Sequence, residues 1–568
     1  MVRITHFLNK VKKETLGAEN PKFLLSNKKG DYFWLGNGAP ESRYEGWFCN
    51  LGDGVFRIIE SLAIEDAGEV LELQNKFTHF ERRRKDLNET LYLSSSSHTF
   101  IYELSKEKRV NIFFDVRHSY DCKEGADYTV EKKGDMMIVE FENGIFLAIK
   151  GGEGHNTKES VERYYDYDKR RNSPPFSRTV YHGVTISGKR LVFSAARSKS
   201  EAVREANKLF VKNIVTNKEE EVDIQCVKTA LSDLLVIDQP GIYAGLPWFF
   251  HFWPRDEAVA LKAVLEIDRE RGKEIFFRLL NDAMKKGPGG VINIDAAGWL
   301  FKRAEDILPL TNKKEKEMMS RGLKRHIEEL LWSFTESDLA VNRNKETWMD
   351  SLDRSGARIE IQAMRLNIYR LASVLAKRRR ERKLYKKMET HLRKKVRKIF
   401  FDGNNLYDGY YPHKNIVEKV IRPNIFIAAY IYPQLLTGKE WMNCFDNALE
   451  ALWLPWGGIA TIDKKNDNFH DTHTGENPGS YHQGDSWFYV NNLAAIVLFR
   501  LNKRKYTGYI SKIMEASREE ILSRGAVGAH GEVSSAKELK SEGCVSQAWS
   551  NAMYLEAKRE MGKQLPRP

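Results

Sequence analysis

The chain of 568 residues is 42% hydrophobic and 30% charged, a size that exceeds one small core and suits two sizeable domains. No uninterrupted apolar run approaches the ~20 residues of a membrane-spanning helix, and the charged start Met1–Lys10 is followed by no apolar stretch of secretory length. A soluble, cytoplasmic protein without a membrane partner is therefore expected. Lys and Arg exceed Asp and Glu by 91 − 78 = 13, which brings nucleic acid into consideration.

From the N-terminus to about Arg197 the chain is punctuated by Gly, Asn-Gly and Asp-Gly turns between short alternating runs rich in Val, Ile, Phe and Tyr, the pattern of strands. Met136–Phe141 and Ile145–Ile149 around Glu142-Asn143-Gly144 predict a hairpin with Asn-Gly at its turn. Val184–Ile186 and Leu191–Phe193 around Ser187-Gly188-Lys189 repeat that pattern. Many short antiparallel strands without intervening helices predict a β-sandwich over residues 1–200.

After Ser198 the period changes. Glu201–Ile214 carries Ala202, Val203, Ala206, Leu209 and Phe210 on one stripe, which predicts a helical linker within 201–220. In the remainder, 221–568, helical spacing recurs at Ile224–Val236, Asp256–Ile267, Lys273–Met284, Met318–Phe334, Glu360–Leu375 and Leu384–Ile399. It continues at Asn424–Leu435, Met442–Trp453, Trp487–Leu501, Tyr506–Ile521 and Val545–Arg559, with a weaker segment near Asp295. About twelve helices in sequential pairs suit a toroid of six inner helices ringed by six outer ones, with its loops gathered at one end.

Much of the basic excess lies in Ala376–Arg397, where Leu384, Tyr385, Met388 and Leu392 recur at helical spacing. That is the pattern of a helix with one buried face and a solvated basic one, so no nucleic-acid partner is expected. Cys49, Cys122, Cys226, Cys444 and Cys544 are scattered and contain no Cys-x-x-Cys pair; reduced thiols are expected.

Four aromatic-rich connections carry chemistry. Tyr243–Asp256 includes Trp248, Trp253 and an Arg255-Asp256 pair just before a helix. Aromatic rings suit the apolar face of a sugar, and Arg and Asp suit its hydroxyl edge; the alternative is a capping Asp256 with Arg255 as its ion-pair partner and the two Trp residues as core. In Glu346–Asp353, Trp348 and Met349 immediately precede Asp350 and can partly desolvate it, the setting a general acid requires; the alternative is an ordinary loop carboxylate that caps the next helix. Glu360, near the start of the next helix, either faces the same site or is solvated. In Ser480–Trp487, His482 has no helical His-x-x-x-His partner or clustered Cys, so no metal is expected. Hydroxyl binding or loop packing remains for His482 and Gln483. Finally, Glu532 sits in a loop of small residues ahead of Gln547-Ala-Trp549-Ser550, where it is either a second catalytic carboxyl or a solvated loop glutamate.

In combination these motifs resemble the amylo-α-1,6-glucosidase domain of glycogen-debranching enzymes, across nearly the whole chain. Ala244-Gly-Leu-Pro-Trp-Phe249 with Arg255-Asp256, Thr347-Trp-Met-Asp350, Glu360-Ile-Gln-Ala363, Arg422-Pro-Asn424, Tyr481-His-Gln-Gly484 and Gln547-Ala-Trp-Ser550 occur in that family's order. The resemblance implies an N-terminal β-rich domain on an (α/α)6 barrel, and an inverting glycosidase acting on α-glucans without a cofactor. It further implies Asp350 as general acid and Glu532 as general base, with Trp253, Arg255 and Asp256 holding the terminal glucose; Trp248, Trp348, Glu360, His482, Gln483, Trp487 and Trp549 are the remaining candidates around the sugar. Two carboxyls of an inverting enzyme stand roughly 6.5–9.5 Å apart to admit a water. The chain departs from the eukaryotic members in Tyr481-His-Gln-Gly-Asp-Ser-Trp487, where they have Pro-Glu before the Trp, and it leaves no segment for their glucanotransferase domain. An α-1,4-exoglucosidase of glucoamylase type, an α-glucoside phosphorylase and a non-catalytic glucan-binding protein are the alternatives.

Overall fold

The computed structural model describes residues 1–8, 11–17, 20–121, 123–208, 220–286 and 293–562. Cys122 and the end of the anticipated linker helix lie outside the described residues; Cys49, Cys226, Cys444 and Cys544 are buried and free.

The N-terminal part is built around two twenty-residue strands, Thr99–His118 and Ser177–Ala196. They pair antiparallel from Thr99↔Ser194 to Glu103↔Arg190, break register, and resume from Lys108↔Gly188 to Phe114↔Tyr181. On one side of the break they are flanked by Asn88–Leu93 and Phe146–Lys150; on the other, by Val55–Ile64 and Glu153–Tyr164. Each long strand thus leaves one sheet and enters the next, the usual way for a bulge to turn a corner between packed sheets. The inward residues of the two sheets, among them Phe33, Trp47, Phe100, Phe114, Leu147 and Phe193, form one buried cluster. The hairpin at Met136–Phe141 forms as the Asn-Gly turn predicts, with Gly144 at φ 74°.

Ser187-Gly188-Lys189 does not close a second hairpin. It lies within the single strand Ser177–Ala196, at the crossing between sheets. A Cβ on Gly188 would come within 2.8 Å of the Gly151 carbonyl, so this glycine permits close approach of backbone rather than a turn.

A short helix α1 (Asp166–Arg170) interrupts the strands, and α2 (Lys199–Ala206) follows them, buried on the Ala202 and Ala206 side. Twelve further helices come next: α3 (Val222–Leu234), α4 (Pro254–Ile267), α5 (Arg269–Lys286), α6 (Ile294–Ile307), α7 (Lys313–Ser333), α8 (Ile359–Leu375), α9 (Arg379–Phe400), α10 (Asn424–Ile431), α11 (Gly438–Leu452), α12 (Phe488–Asn502), α13 (Thr507–Ser523) and α14 (Ala548–Gly562). The even-numbered helices from α4 to α14 touch in succession, and α14 returns to α4, closing a ring; the odd-numbered ones pack outside it. This is the (α/α)6 barrel. The sequence explains the placement: α10 is apolar on all sides and buried throughout, whereas α9 buries Leu392, Val396 and Phe400 and turns its basic face outward. Leu384, expected on that buried face, is 54% exposed, so the apolar seam of α9 runs from Tyr385 and Met388 to Phe400. Lys377, Lys395 and Arg397 pair with Glu317, Asp338 and Glu440 of neighbouring elements.

Candidate active site

The candidate motifs lie at the N-terminal ends of the inner helices. Pro254 opens α4 one residue before Arg255-Asp256, Asp295 lies in the first turn of α6 and Glu360 in that of α8, and Trp487 and Gln547 immediately precede α12 and α14. Helix N-termini carry unpaired N–H groups and partial positive charge. Several of them at one end of a barrel make that end tolerant of carboxylates, and acids are dense there.

A cavity of ≈ 220 Å³ opens at this end, lined by Ala244, Phe249, Trp253, Arg255, Asp256, Trp348, Asp350, Tyr481, Trp487, Glu532, Gln547 and Trp549. Its aromatic wall is a braced stack. Trp487 meets Trp348 and Trp549 edge-on at 5.4 and 5.6 Å, and Tyr489 stacks beneath Trp549 at 4.3 Å. The Trp549 indole nitrogen is buried and has no protein acceptor, leaving a donor at the cavity wall for a hydroxyl oxygen.

Arg255 organises the acidic side. Its Nε lies 2.8 Å from Asp295 Oδ2, Nη1 lies 3.3 Å from Asp350 Oδ2, and Nη2 donates to the Thr347 carbonyl at 3.1 Å. Asp350 is 39% exposed at its side chain, so it stands at the open mouth of the cavity, while Trp348 and Met349 beside it are buried. Asp256 is 5% exposed and accepts from Gln547 Nε2 at 3.0 Å. Burial pushes its carboxyl up to about 7, with Arg255 opposing and Glu532 and Asp350 reinforcing the rise.

A carboxyl raised from 3.8 to about 7 stabilises the fold below its unfolded pKa and loses that contribution as pH rises through 7. Glu257 (about 7) and Asp295 (about 6) titrate in a similar window, so comparison with a variant is needed to isolate Asp256. Asp256→Asn should gain stability relative to the unaltered protein between pH 4 and 8, by roughly 2–4 kcal/mol. Urea unfolding at both pH values checks it; an equal difference at the two would contradict the shift.

Glu532 is 2% exposed. Its Oε1 accepts from the Tyr481 hydroxyl and its Oε2 from the Cys544 N–H at 2.9 Å. Burial raises its pKa, and these two donors and the charges of Arg171 and His473 oppose the rise. The loop has little freedom. Val533–Ser534 pairs with both Ser486–Trp487 and Ser541–Glu542, and Glu520 accepts from His530 Nδ1, the Gly531 N–H and the Ser541 hydroxyl. Gly543 sits at φ 66°, where a Cβ would come within 2.5 Å of Glu532 Oε2, so a side chain there would displace the carboxylate.

Tyr481→Phe removes a donor to the charged carboxylate. The acidic limb of the kcat/KM profile should move to higher pH, with about 10-fold loss on that limb. An unmoved limb would separate Tyr481 from the ionisation of Glu532.

Four of the anticipated sugar-binding residues lie outside the cavity lining. Trp248 packs on Tyr44 and lies under the Arg171 guanidinium at 3.8 Å, joining the barrel to the β region. Glu360 is fully buried and takes Arg354 Nη1 at 2.7 Å. The same Arg354 grips Asp408, Asp408 accepts from Asn424 Nδ2 at 2.6 Å, and Asn424 Oδ1 accepts from the Trp348 indole at 2.7 Å. Glu360 thus belongs to the network that holds Trp348 in place. His482 is buried, stacked on Trp487 at 5.1 Å with Nδ1 2.6 Å from Ser351 Oγ. Gln483 reaches back to the Gly479 carbonyl at 3.3 Å. Conversely, Tyr481, Gln547 and Phe249 line the cavity although the sequence singles out only their motifs, not their side chains. Asp295 has a helix start as its only signal.

Among the described residues, one group has the donor set of a cation site: ligand atoms of Asp31, Cys49 and His98 lie within 4.8 Å of one another. Asp31 already accepts from His98 Nδ1 and the Asn50 N–H, both at 2.9 Å, and none of the three residues lines the cavity. No helix of the described residues is long and apolar enough to cross a membrane.

Comparison with known proteins bears on the same end of the barrel. Residues 307–556 match the family model described as amylo-alpha-1,6-glucosidase; this span contains Asp350 and Glu532 but not Arg255 or Asp256. A bacterial glucoamylase solved in complex with acarbose is 11% identical and superposes with a TM-score of 0.61 over 98% of this chain and 97% of its own. At that identity the likeness is one of fold, spanning both the β region and the barrel. A mannosylglycerate hydrolase of Thermus thermophilus, also 11% identical, covers 59% of this chain and 99% of its own with a TM-score of 0.44. The curated proteins contain no significant match.

Proposed function

We propose that this protein is an inverting glycoside hydrolase that releases glucose from the non-reducing ends of α-glucans, with α-1,6 branch stubs as its preferred substrate; residues 307–556 match the amylo-alpha-1,6-glucosidase family model, and the chain shares the fold of a bacterial glucoamylase. One observation carries the reading: Asp350 and Glu532, on loops far apart in sequence, line one aromatic-walled cavity together with Arg255 and Asp256. The cavity is smaller than the roughly 300–1,000 Å³ of pockets for drug-sized ligands, which fits one terminal sugar ring. We assign catalysis to residues 221–568 and the β-sandwich to residues 1–200, with 201–220 between them.

In this mechanism the ring lies against Trp348, Trp487 and Trp549, and Asp256 and Gln547 meet its hydroxyl edge. Asp350, at the mouth, gives its proton to the glycosidic oxygen as the bond to the anomeric carbon breaks. Glu532 takes a proton from a water that attacks that carbon from the opposite face, so an α-linked substrate yields β-glucose. Solvent exchange then returns a proton to Asp350 and removes one from Glu532. Tyr481 and the Cys544 N–H orient Glu532 and favour its ionised form. No step calls for a cofactor.

A phosphorylase has no use for a base at Glu532, and the donors and short strands that fix this side chain favour hydrolysis. The test is release of sugar from a branched limit dextrin and from a linear α-1,4 oligosaccharide, with and without phosphate. Faster phosphate-independent release from the α-1,6 stub supports the proposal. Faster release from the linear chain transfers the preference to α-1,4 links, and phosphate dependence or binding without release overturns hydrolysis.

A further inference from the structure

A second and larger cavity, of ≈ 630 Å³, lies between the β-sandwich and the barrel. The sandwich contributes Asn50, Asp53, His98, His118 and Tyr120, and the barrel Asp238, Gln239, Tyr243 and the consecutive Phe250, His251 and Phe252. The segment at the start of α4 therefore divides its side chains between two cavities: Phe249 and Trp253 enter the catalytic one, and the three residues between them enter this one.

Its wall is an aromatic shelf assembled from both parts of the chain. The Tyr120 ring stacks on Phe250 at 5.1 Å and 27° and lies nearly parallel to His251 at 6.3 Å and 15°. The Tyr120 hydroxyl is anchored on the Trp248 carbonyl, which fixes the ring while leaving the residue 44% exposed. Exposed, rigid aromatic rings beside polar side chains suit a flat apolar partner with a hydroxylated edge. The rim supplies that edge's partners: the Lys29–Asp238 pair at 3.0 Å, Asp53, and Asn50, whose Nδ2 lies 3.0 Å from the Tyr243 hydroxyl. Burial and the neighbouring His118 hold His251 below its ordinary pKa, so near neutrality its ring offers one donor and one acceptor.

We propose that this cleft is a second α-glucan site, which holds a neighbouring chain of the same branched substrate while one chain end occupies the catalytic cavity. The proposal rests on the α-glucan reading above. It explains why the cleft has about three times the volume of the catalytic cavity, and why one short segment serves both.

The test uses the full chain carrying Asp350→Asn to suppress turnover, alone and combined with Tyr120→Ser or, separately, His251→Ala, titrated with maltoheptaose in a calorimeter, and the active protein carrying either cleft substitution. Two binding events per chain are expected, one of them lost with either cleft substitution. In the active protein both substitutions should raise KM for the branched polymer about 5- to 10-fold, while kcat/KM for a disaccharide, too short to reach the cleft, stays unchanged. Sugar release by the parent protein together with a single binding event, or an unchanged polymer KM, overturns the second site alone. Absence of both binding and release overturns the α-glucan reading along with it. A parallel fall in disaccharide activity would show that the segment acts through the catalytic cavity and would also overturn the proposal.

Discussion

Asp350→Asn and Glu532→Gln are each expected to lower kcat by about 10²–10⁴-fold or more, with KM for a branched glucan changed far less. Neither substitution alters the outline of the cavity. An asparagine at position 350 could still accept from Arg255, and a glutamine at position 532 could still meet the Tyr481 hydroxyl and the Cys544 N–H, so the loss falls on proton transfer. The two variants should differ in what restores them. Azide attacks the anomeric carbon without a general base, so it should restore bond cleavage to Glu532→Gln and give a β-glucosyl azide. It should do less for Asp350→Asn when the leaving group is a poor one, because the glycosidic oxygen still lacks its proton. Wild-type turnover in either variant would contradict the assignment, and rescue of the Asp350 variant alone would exchange the two roles.

The second large effect is on stability. Arg354→Met should cost about 3–5 kcal/mol, because it removes a cation from between two carboxylates and leaves them in the interior. Glu360 and Asp408 are both fully buried, and Arg354 reaches them at 2.7 and 2.9 Å while its Nη1 also donates to Thr347 Oγ1 at 2.9 Å. Asp408 retains Asn424 and Arg358, whereas among the described residues Glu360 forms its ion pair with Arg354 alone. Arg354→Lys should recover only part of the loss, since a point charge cannot bridge both carboxylates in the fork geometry. The network ends at Trp348, so catalysis should fall with stability. A thermal midpoint within about 1 °C of the unaltered protein would contradict this account.

The helical half was legible because most barrel helices bury one stripe, which writes the 3.6-residue period into segments such as Met442–Trp453 and Leu384–Ile399, whereas the helix that opens at Asn424 is buried on all sides and is legible as an apolar run. The sandwich was legible as a class but not in its connections. Ser187-Gly188-Lys189 looks like a turn because glycine between two apolar runs is the mark of a hairpin; whether the glycine turns the chain or lets another backbone approach depends on Gly151, distant in sequence. The site shows the same division. Trp253, Arg255, Asp256, Trp348, Asp350, Trp487, Glu532 and Trp549 meet in one cavity, whereas Trp248, Glu360, His482 and Gln483, from the same motifs, stand one layer behind it. A motif at the mouth of a helix fixes which residues are near the site. Which of them faces it is decided by partners elsewhere: Arg171 for Trp248, Arg354 for Glu360, Ser351 for His482. Tyr481 is adjacent to the residues singled out, and its contact with Glu532 spans loops that only the fold brings together.

The most direct test of the central claim is the configuration of the sugar at the moment of release, followed by proton NMR during hydrolysis of an α-1,6-linked oligosaccharide. The account predicts that the β-anomer of glucose appears first and the α-anomer only as mutarotation proceeds. Initial α-glucose would mean retention, and Asp350 and Glu532 could not then be the acid and base of a single displacement.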